Sequence, residues 1–326
     1  MQEILRQEFE QYRTKGFQAS AGLEISPIFR INPGTQEYNS LHEALETSVI
    51  EITEVSEGGR VPDLKVLNRG DKHVLLLDGE ELRGAKQNRI PNTSILVPAG
   101  KEITIPVSCV EAGRWSYRGR SFRESGNVMP SIMRSRKSDV VSRNLNSSGE
   151  ARADQSQIWN EINHMHREKG THSDTSAMED MYGMRFNNLD DICGSFPLLE
   201  GQCGICVQIG RRFGGIDLVS RPEVWKDVHN KIVRSYAIEV LDREIPEPQC
   251  RDTLFEIVLG QLGRGNFPRF DGVGLGEDIR FDLPLLTGSA LVWEKEIIHL
   301  GAYLRMTSGM RDNPDLFDGP NGHWNP

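Results

Sequence analysis

Between Val49 and Val110 the chain repeats short apolar runs, among them Leu64 to Leu67, Val74 to Leu77, Ile95 to Val97 and Ile103 to Cys109. Asn68, Asp78 and Pro98 cut off the first three. Runs this short, with turn residues roughly every eight to twelve positions, suit antiparallel strands, whose connections need only a few residues. Asn68-Arg-Gly-Asp71 predicts a hairpin between the first two runs, Asp78-Gly79 a tight turn, and Pro98-Ala-Gly100 another strand-turn-strand. Gly22 to Ile31 and Val49 to Val55 also read as strands. A sheet region, possible as a sandwich, is the first constraint on the fold.

Helical signals flank it. Gln2 to Lys15 and Leu41 to Leu45 have apolar residues at helical spacing, and Asp154 to Arg167 puts Ile158, Ile162 and Met165 on one side. Ser220-Arg-Pro-Glu223 has the capping-box pattern with an early proline, and Trp225, Val228, Ile232, Tyr236 and Val240 continue one apolar face. A helix over Thr253 to Leu262 follows. Ile205 to Ile209, Gly215 to Val219, Asp278 to Leu283, Ala290 to Trp293 and Ile297 to Leu304 read as strands. Strands, then helices, then strands predict an α+β class: an antiparallel, sandwich-like region followed by a mixed helix and strand region packed against it. The 326 residues are enough for one large domain with a sizeable core. Ser116 to Glu150, poor in periodic apolar residues, predicts a mobile basic loop, and Thr307 to Pro326 a frayed tail.

No apolar run approaches the roughly 20 residues of a membrane span. The opening MQEILRQEFEQYRTK has no signal-like apolar core. The expectation is a soluble cytoplasmic protein with no membrane partner. Five cysteines, an odd number without a leader, argue against a disulfide framework. Cys203 and Cys206 form a CxxC with no second pair to complete a zinc site, and strand alternation puts them on opposite faces, so they read as structural thiols. His164 and His166, two apart on a helix, do not converge on a metal and read as surface residues.

The polar stretch Asp78 to Arg89, DGEELRGAKQNR, lies between two strand-like runs. Read as one strand, it puts Glu81, Arg83, Ala85, Gln87 and Arg89 on one face and Glu80, Leu82, Gly84, Lys86 and Asn88 on the other. Neither face is apolar, so the strand is expected to meet water, a partner or a polar cleft. Lys86 and Arg89 could hold phosphate or carboxylate, and Gln87 and Asn88 could meet base edges or ribose hydroxyls. Glu80 and Glu81 could serve as a general base or bind a divalent cation. A ligand site and a solvated hairpin both remain open.

The run SCVEAGRWSYRGR ends the next strand with Cys109, Glu111, Arg114 and Trp115. Arg beside Trp and Tyr suits stacking on a base and pairing with phosphate; the plain alternative packs Trp115 under the loop. From Gly113 to Arg143, Arg114, Arg118, Arg120, Arg123, Arg134, Arg136, Lys137 and Arg143 face only Glu124 and Asp139, a balance of +6 in a chain of net −9. Such a local excess points to a small anionic ligand rather than general nucleic-acid binding, which more often makes a whole domain basic. A solvated basic loop is the alternative. The sequence has no G-x-S-x-G, H-E-x-x-H or P-loop pattern, and the glycines of GVGLGED follow no strand and open no helix.

VLLLDGEELRGAKQNR, NTSILVPAG, IPVSCVEAGRW, GGIDLVSRPEVW, VRSYAIEVLD, VGLGEDIRF and IIHLGAYLR together resemble the ARPP family, named for its association with ADP-ribosylglycohydrolases and rhodanese-phosphatase proteins. The resemblance runs from about Leu41 to Arg305. It implies a nucleotide- or ADP-ribose-like ligand, with ADP-ribose-processing enzymes as partners, and gives no established reaction or cofactor. Its polar motif falls on Asp78, Gly79, Glu80, Glu81, Gly84, Lys86, Gln87, Asn88, Arg89, Glu111, Arg114 and Trp115. The leading expectation is a phosphorylated, nucleotide-like ligand with Glu81 or Glu111 as general base. Lys86, Arg89 and Arg114 would hold phosphate, and Trp115 would stack. The alternatives are a non-catalytic sensor or scaffold, and a polar strand that serves as an oligomer interface.

Overall fold

A computed structural model describes residues 2–56, 62–246 and 254–305. The chain opens with α1 (Gln2–Phe9), β1 (Tyr12–Thr14), β2 (Gln18–Ser20), β3 (Leu23–Arg30), β4 (Tyr38–Ser40), α2 (Leu41–Glu46) and β5 (Ile50–Glu54). The strand-dense part holds β6 (Asp63–Asn68), β7 (His73–Leu76), β8 (Glu80–Gly84), β9 (Arg89–Pro91), β10 (Ile95–Val97), β11 (Glu102–Cys109) and β12 (Phe122–Val128). Four helices follow: α3 (Ser131–Ser148), α4 (Gln155–Glu168), α5 (Met178–Met184) and α6 (Phe186–Cys193). The last third runs β13 (Gln202–Ile209), β14 (Arg212–Val219), α7 (Pro222–Val240), α8 (Leu254–Arg264), β15 (Arg269–Asp271), β16 (Glu277–Asp282), β17 (Leu286–Trp293) and β18 (Glu296–Leu304). The fold is α+β, as the order of signals predicts.

A nine-stranded antiparallel sheet, ordered β1-β3-β13-β14-β18-β17-β16-β15 with β2 also on β3, forms the central layer. Its middle strands are buried along nearly their whole length because both faces are covered. Ile205, Val207 and Ile209 pack with Trp225, Val228, Ile232 and Tyr236 of α7 on one face. On the other face Ile216, Leu218, Leu300 and Ala302 pack with Leu5 and Phe9 of α1 and Phe255, Val258 and Leu262 of α8. Cys203 and Cys206 both lie in this second cluster, not on opposite faces. A register shift between Gln202 and Gly204 explains it, since one extra residue flips the alternation.

The strand-dense region folds into two smaller sheets. One has six strands, β12-β8-β9-β11-β6-β5; the other has three, β10-β7-β4. The six-stranded sheet curls until Thr53 bridges Ser121, bringing its two outer strands together. Ile50, Ile52, Leu64, Val66, Leu82, Ile105 and Phe122 share one core with Val74, Leu76, Ile95 and Val97 of the three-stranded sheet, a sandwich-like packing. The hairpin expected at Asn68 to Asp71 does not form: β6 pairs with β5 and β11, and β7 pairs with β4 and β10. Asn68 holds the connection by donating to the carbonyls of Lys72 and Pro98, which lets the two strands part into different sheets.

Several local readings change. The first helix stops at Phe9, and Tyr12–Thr14 pairs with β3 instead. Ser220 does not cap α7; its hydroxyl meets that of Tyr38 at 2.9 Å, and the helix starts at Pro222 without a side-chain cap. Within the expected loop from Ser116 to Glu150, residues Phe122–Val128 form a strand and Ser131–Ser148 a helix that ends at Gly149, φ 72°. That helix hides from a search for apolar periodicity because it buries Arg134, Ser135, Lys137, Ser138 and Ser142 alongside Met133, Val141 and Leu145. His166 is buried rather than on the surface, bonded to Thr171 and to the carbonyl of Ala177. The expected tail from Thr307 onward lies outside the described residues.

Candidate functional site

The stretch from Asp78 to Arg89 is not one strand. β8 ends at Gly84, where φ is 147°, and Ala85 follows at φ 37°. A Cβ on Gly84 would lie 2.5 Å from the carbonyl oxygen of Ser121, so the close approach of β12 requires glycine here. The bend sets Lys86 to Asn88 between β8 and β9 and breaks the expected alternation. All of the stretch is buried except Arg83.

Buried charges need partners, and these arrive from remote helices. Lys137 of α3 pairs with Asp78 and donates to the carbonyl of Asn92 at 3.0 Å. Lys231 of α7 pairs with Glu80, and at 3.0 Å with Glu124. Burial works against the Lys231 ammonium, but these two carboxylates outweigh it and raise its pKa above the usual lysine value. Asp78 and Glu80 are therefore clamps between the sheets and the helices.

The segment after β11 meets the bend directly. Arg114 grips Glu111 with two bonds, 2.9 and 2.7 Å, and donates further to the carbonyls of Ala85 and Ser116, both at 2.7 Å. Glu111 also accepts from the backbone N–H of Asn88 at 3.1 Å and the hydroxyl of Thr175 at 3.0 Å. Burial alone would raise the Glu111 pKa; the bonds from Arg114, Asn88 and Thr175 reverse that and hold it below the usual carboxylate range. Both groups are saturated, which suits a structural knot better than a base and a phosphate clamp. Gln87 joins it, donating to the carbonyl of Glu111 at 2.8 Å.

Glu81 is different. It is fully buried and accepts from Ser125 at 2.8 Å and from Asn88 and Asn127 at 3.3 Å, with no cation paired to it among the described residues. Burial pushes its pKa up to about 7, and the neighbouring Glu179 carboxylate adds to the shift against these hydrogen bonds. Asn88 bridges the two acids, donating to Glu179 at 3.2 Å as well. Glu179 in turn holds Arg83 at 3.0 Å.

Outside the bend lies an exposed face of aromatic and arginine side chains, with the buried Lys86 beneath the rings. The Lys86 ammonium stands 5.1 Å from the Trp115 ring centroid and 5.2 Å from that of Tyr117. Both rings are half open to solvent, at 51% and 50% exposure, so Trp115 does not pack under a loop. Arg83 lies directly opposite Arg123 across the β8–β12 pairing, and Arg118 and Arg120 are exposed on the same connection. Like charges placed opposite each other repel, and Glu179 is the one carboxylate within ion-pair reach of this couple among the described residues.

Arg89 does not reach this face. It is fully buried, donates to Gln87 at 2.9 Å and to the Cys109 sulfur at 2.7 Å, and lies 3.9 Å from Glu54. The structure thus brings Glu81, Lys86, Gln87, Asn88, Glu111, Arg114 and Trp115 together; Asp78 and Glu80 serve separate buried contacts, and Arg89 touches the group through Gln87 while its other contacts lie behind it.

Sequence reasoning missed Asn127, Ser125 and Glu179 around the bend, whose partners lie far along the chain, while the tyrosine read beside Trp115 as a stacking group is Tyr117. It also missed a buried network on the other side of Gly79, where Arg134 and Asp217 meet Tyr236, Tyr303 and Ser235. Among the described residues no group of three or more His, Cys, Asp or Glu is arranged to hold a metal ion. A large groove of about 960 Å3, between α1 and α8, lies on the opposite face of the nine-stranded sheet from this site. No helix among the described residues is long and apolar enough to cross a membrane.

The chain belongs to the family of the ARG and Rhodanese-Phosphatase-superfamily-associated Protein domain, whose model matches residues 11–303. No curated protein and no solved structure matches it.

Proposed function

We propose that the face around Lys86, Trp115 and Tyr117 binds a phosphorylated, nucleotide-like small molecule of the ADP-ribose type. The carrying observation is the pair of half-exposed rings over the Lys86 ammonium, beside Arg83 and Arg123. Flat rings open on one side can stack a base, at about 1–3 kcal/mol per base. Exposed guanidinium groups that repel each other gain from a shared phosphate. The family name, which associates the domain with ADP-ribose-processing enzymes, favours that ligand class over a general polyanion.

Calorimetry with ADP-ribose, ADP and ribose 5-phosphate tests this reading. ADP-ribose and ADP should bind more tightly than ribose 5-phosphate, which lacks the base, and Trp115→Ala should erase that preference. Equal or absent binding of all three would sink the reading.

A second reading, a sensor or scaffold without turnover, is supported by Glu81. It is the carboxyl suited to moving a proton near pH 7, yet it has no exposed surface. Ligand recovered unchanged after prolonged incubation with saturating protein favours the sensor; product that disappears with Glu81→Gln favours the enzyme.

A further inference from the structure

Glu54 lies on the same face of β5 as the core residues Ile50 and Ile52, and Arg89 lies opposite the core residue Leu82 in the β8–β9 pairing. Both side chains therefore point into the curl of the six-stranded sheet, from strands that are not neighbours. They stop short of each other, with Nη2 of Arg89 3.9 Å from Oε1 of Glu54, at 0% and 5% side-chain exposure. Among the described residues, Nε and Nη2 of Arg89 and both oxygens of Glu54 have no hydrogen-bond partner. Four charged atoms in one buried place, held by a long ion pair and by no hydrogen bond, are rare in native proteins and call for a further partner.

The missing partner must be complementary on both sides. It has to accept from the guanidinium and donate to the carboxylate. A carboxylate ligand would satisfy Arg89 and be repelled by Glu54, and an ammonium would do the reverse. A primary carboxamide carries the acceptor and the donor on one planar edge and is neutral, so its burial costs less than that of an ion.

We propose that Arg89 and Glu54 form a binding site for a primary carboxamide, its C=O accepting from Arg89 and its NH2 donating to Glu54. Access is built into the same place. Glu54 adjoins Thr53, whose bridge to Ser121 is an isolated one, and Arg89 is itself half of the single residue pair that joins β8 to β9. Seams held by so few backbone bonds open more readily than the long ladders elsewhere in the sheet. This site is separate from the Lys86 face and does not depend on the ligand proposed there.

Cys109 reports on it, because its sulfur lies 2.7 Å from Nη1 of Arg89. Burial pushes the pKa of the Cys109 thiol up to about 11, so modification of the full chain is run at alkaline pH with methyl methanethiosulfonate, a neutral thiol reagent without an amide. It is read at the Cys109 peptide by mass spectrometry with benzamide or acetamide present, and with benzoate or acetate as controls. The amides should slow modification of Cys109 several-fold and raise the melting temperature, while the carboxylates do neither. Glu54→Gln keeps the shape and should lose the protection by amides. Should that variant fail to fold, the amide-against-carboxylate comparison on the unaltered protein still decides. Equal effects of amides and carboxylates, or none from either, would overturn the site and leave ordered water as the bridging group.

Discussion

Arg134 donates to both carboxylate oxygens of Asp217, at 2.6 and 3.1 Å, and neither side chain has any exposed surface. Asp217 also accepts from the Tyr236 hydroxyl at 2.7 Å, and Arg134 donates to Ser235 at 2.9 Å and to the carbonyl of Met129 at 3.0 Å. The pair joins α3 to β14 and ties in α7. It also sits against Gly79, whose added Cβ would lie 3.1 Å from Cδ of Arg134. The turn into the polar stretch is thus packed directly on the buried ion pair.

Breaking one half of such a pair strands the other charge. Asp217→Ala should destabilise the protein by about 3–5 kcal/mol, read from urea unfolding. Ser235→Ala, which removes one acceptor, should cost about 1 kcal/mol. Similar small losses for both would show that the pair is not what joins the layers.

Two buried groups should pull stability in opposite directions with pH. Burial raises the Glu81 pKa from 4.5 to about 7, so its contribution is present at low pH and is lost as pH rises to 7. Burial lowers the His299 pKa from 6.5 to about 4, so its contribution is present above 6.5 and is lost as pH falls to 4. Each shift corresponds to about 3 kcal/mol at ~1.4 kcal/mol per pKa unit. Glu81→Gln should therefore make stability rise more steeply from pH 4 to 7 than in the unaltered chain, and His299→Gln should make it fall. Denaturation at several pH values checks both signs, and unchanged slopes would refute the assignments.

The reach of the sequence follows from where each partner sits. That DGEELRGAKQNR could not be an ordinary core strand was legible from its lack of an apolar face, and so was its meeting with the Glu111–Arg114 segment. Its burial was not legible, because the neutralising cations, Lys137 and Lys231, lie 59 and 151 residues from Asp78 and Glu80. The same ambiguity hid α3. A helix that buries Arg134, Lys137 and Ser138 shows no apolar period, so it read as a loop. The α7 helix was legible through Trp225, Val228, Ile232 and Tyr236, while its cap was not, since Ser220 turns to Tyr38 instead. Cys203 and Cys206 were misplaced because a bulge leaves no mark in composition.

Gly84→Ala probes the bend on which the site depends. The new Cβ would meet the Ser121 carbonyl oxygen at 2.5 Å, and backbone at φ 147° strains any L side chain. A loss of about 2–3 kcal/mol is expected, together with weaker hydrogen-exchange protection over Phe122–Val128. A tolerated substitution with unchanged protection would mean the bend is not fixed by glycine.

Arg89→Ala tests its interior position. On a wet strand the change would be nearly neutral; inside the curled sheet it leaves Glu54 buried without a counter-charge. A cost of about 3–5 kcal/mol is expected, and a cost below about 1 kcal/mol would place the side chain in water.

The exposed face should behave in the opposite way. Arg123 and Arg120 are exposed and form no ion pair among the described residues, so replacing both with Gln should leave stability within about 0.5 kcal/mol. If the face holds phosphate, the double variant should bind ADP-ribose more weakly by about 1.5–3 kcal/mol for each lost charge-assisted bond. Binding should also become less sensitive to salt, because screening acts on exposed charges that no longer contribute. Titration at low and high ionic strength separates the outcomes. Affinity and salt dependence both unchanged in a stably folded variant would mean the basic rim of this face is solvated surface, and the ligand, if bound, rests on Lys86 and the two rings alone.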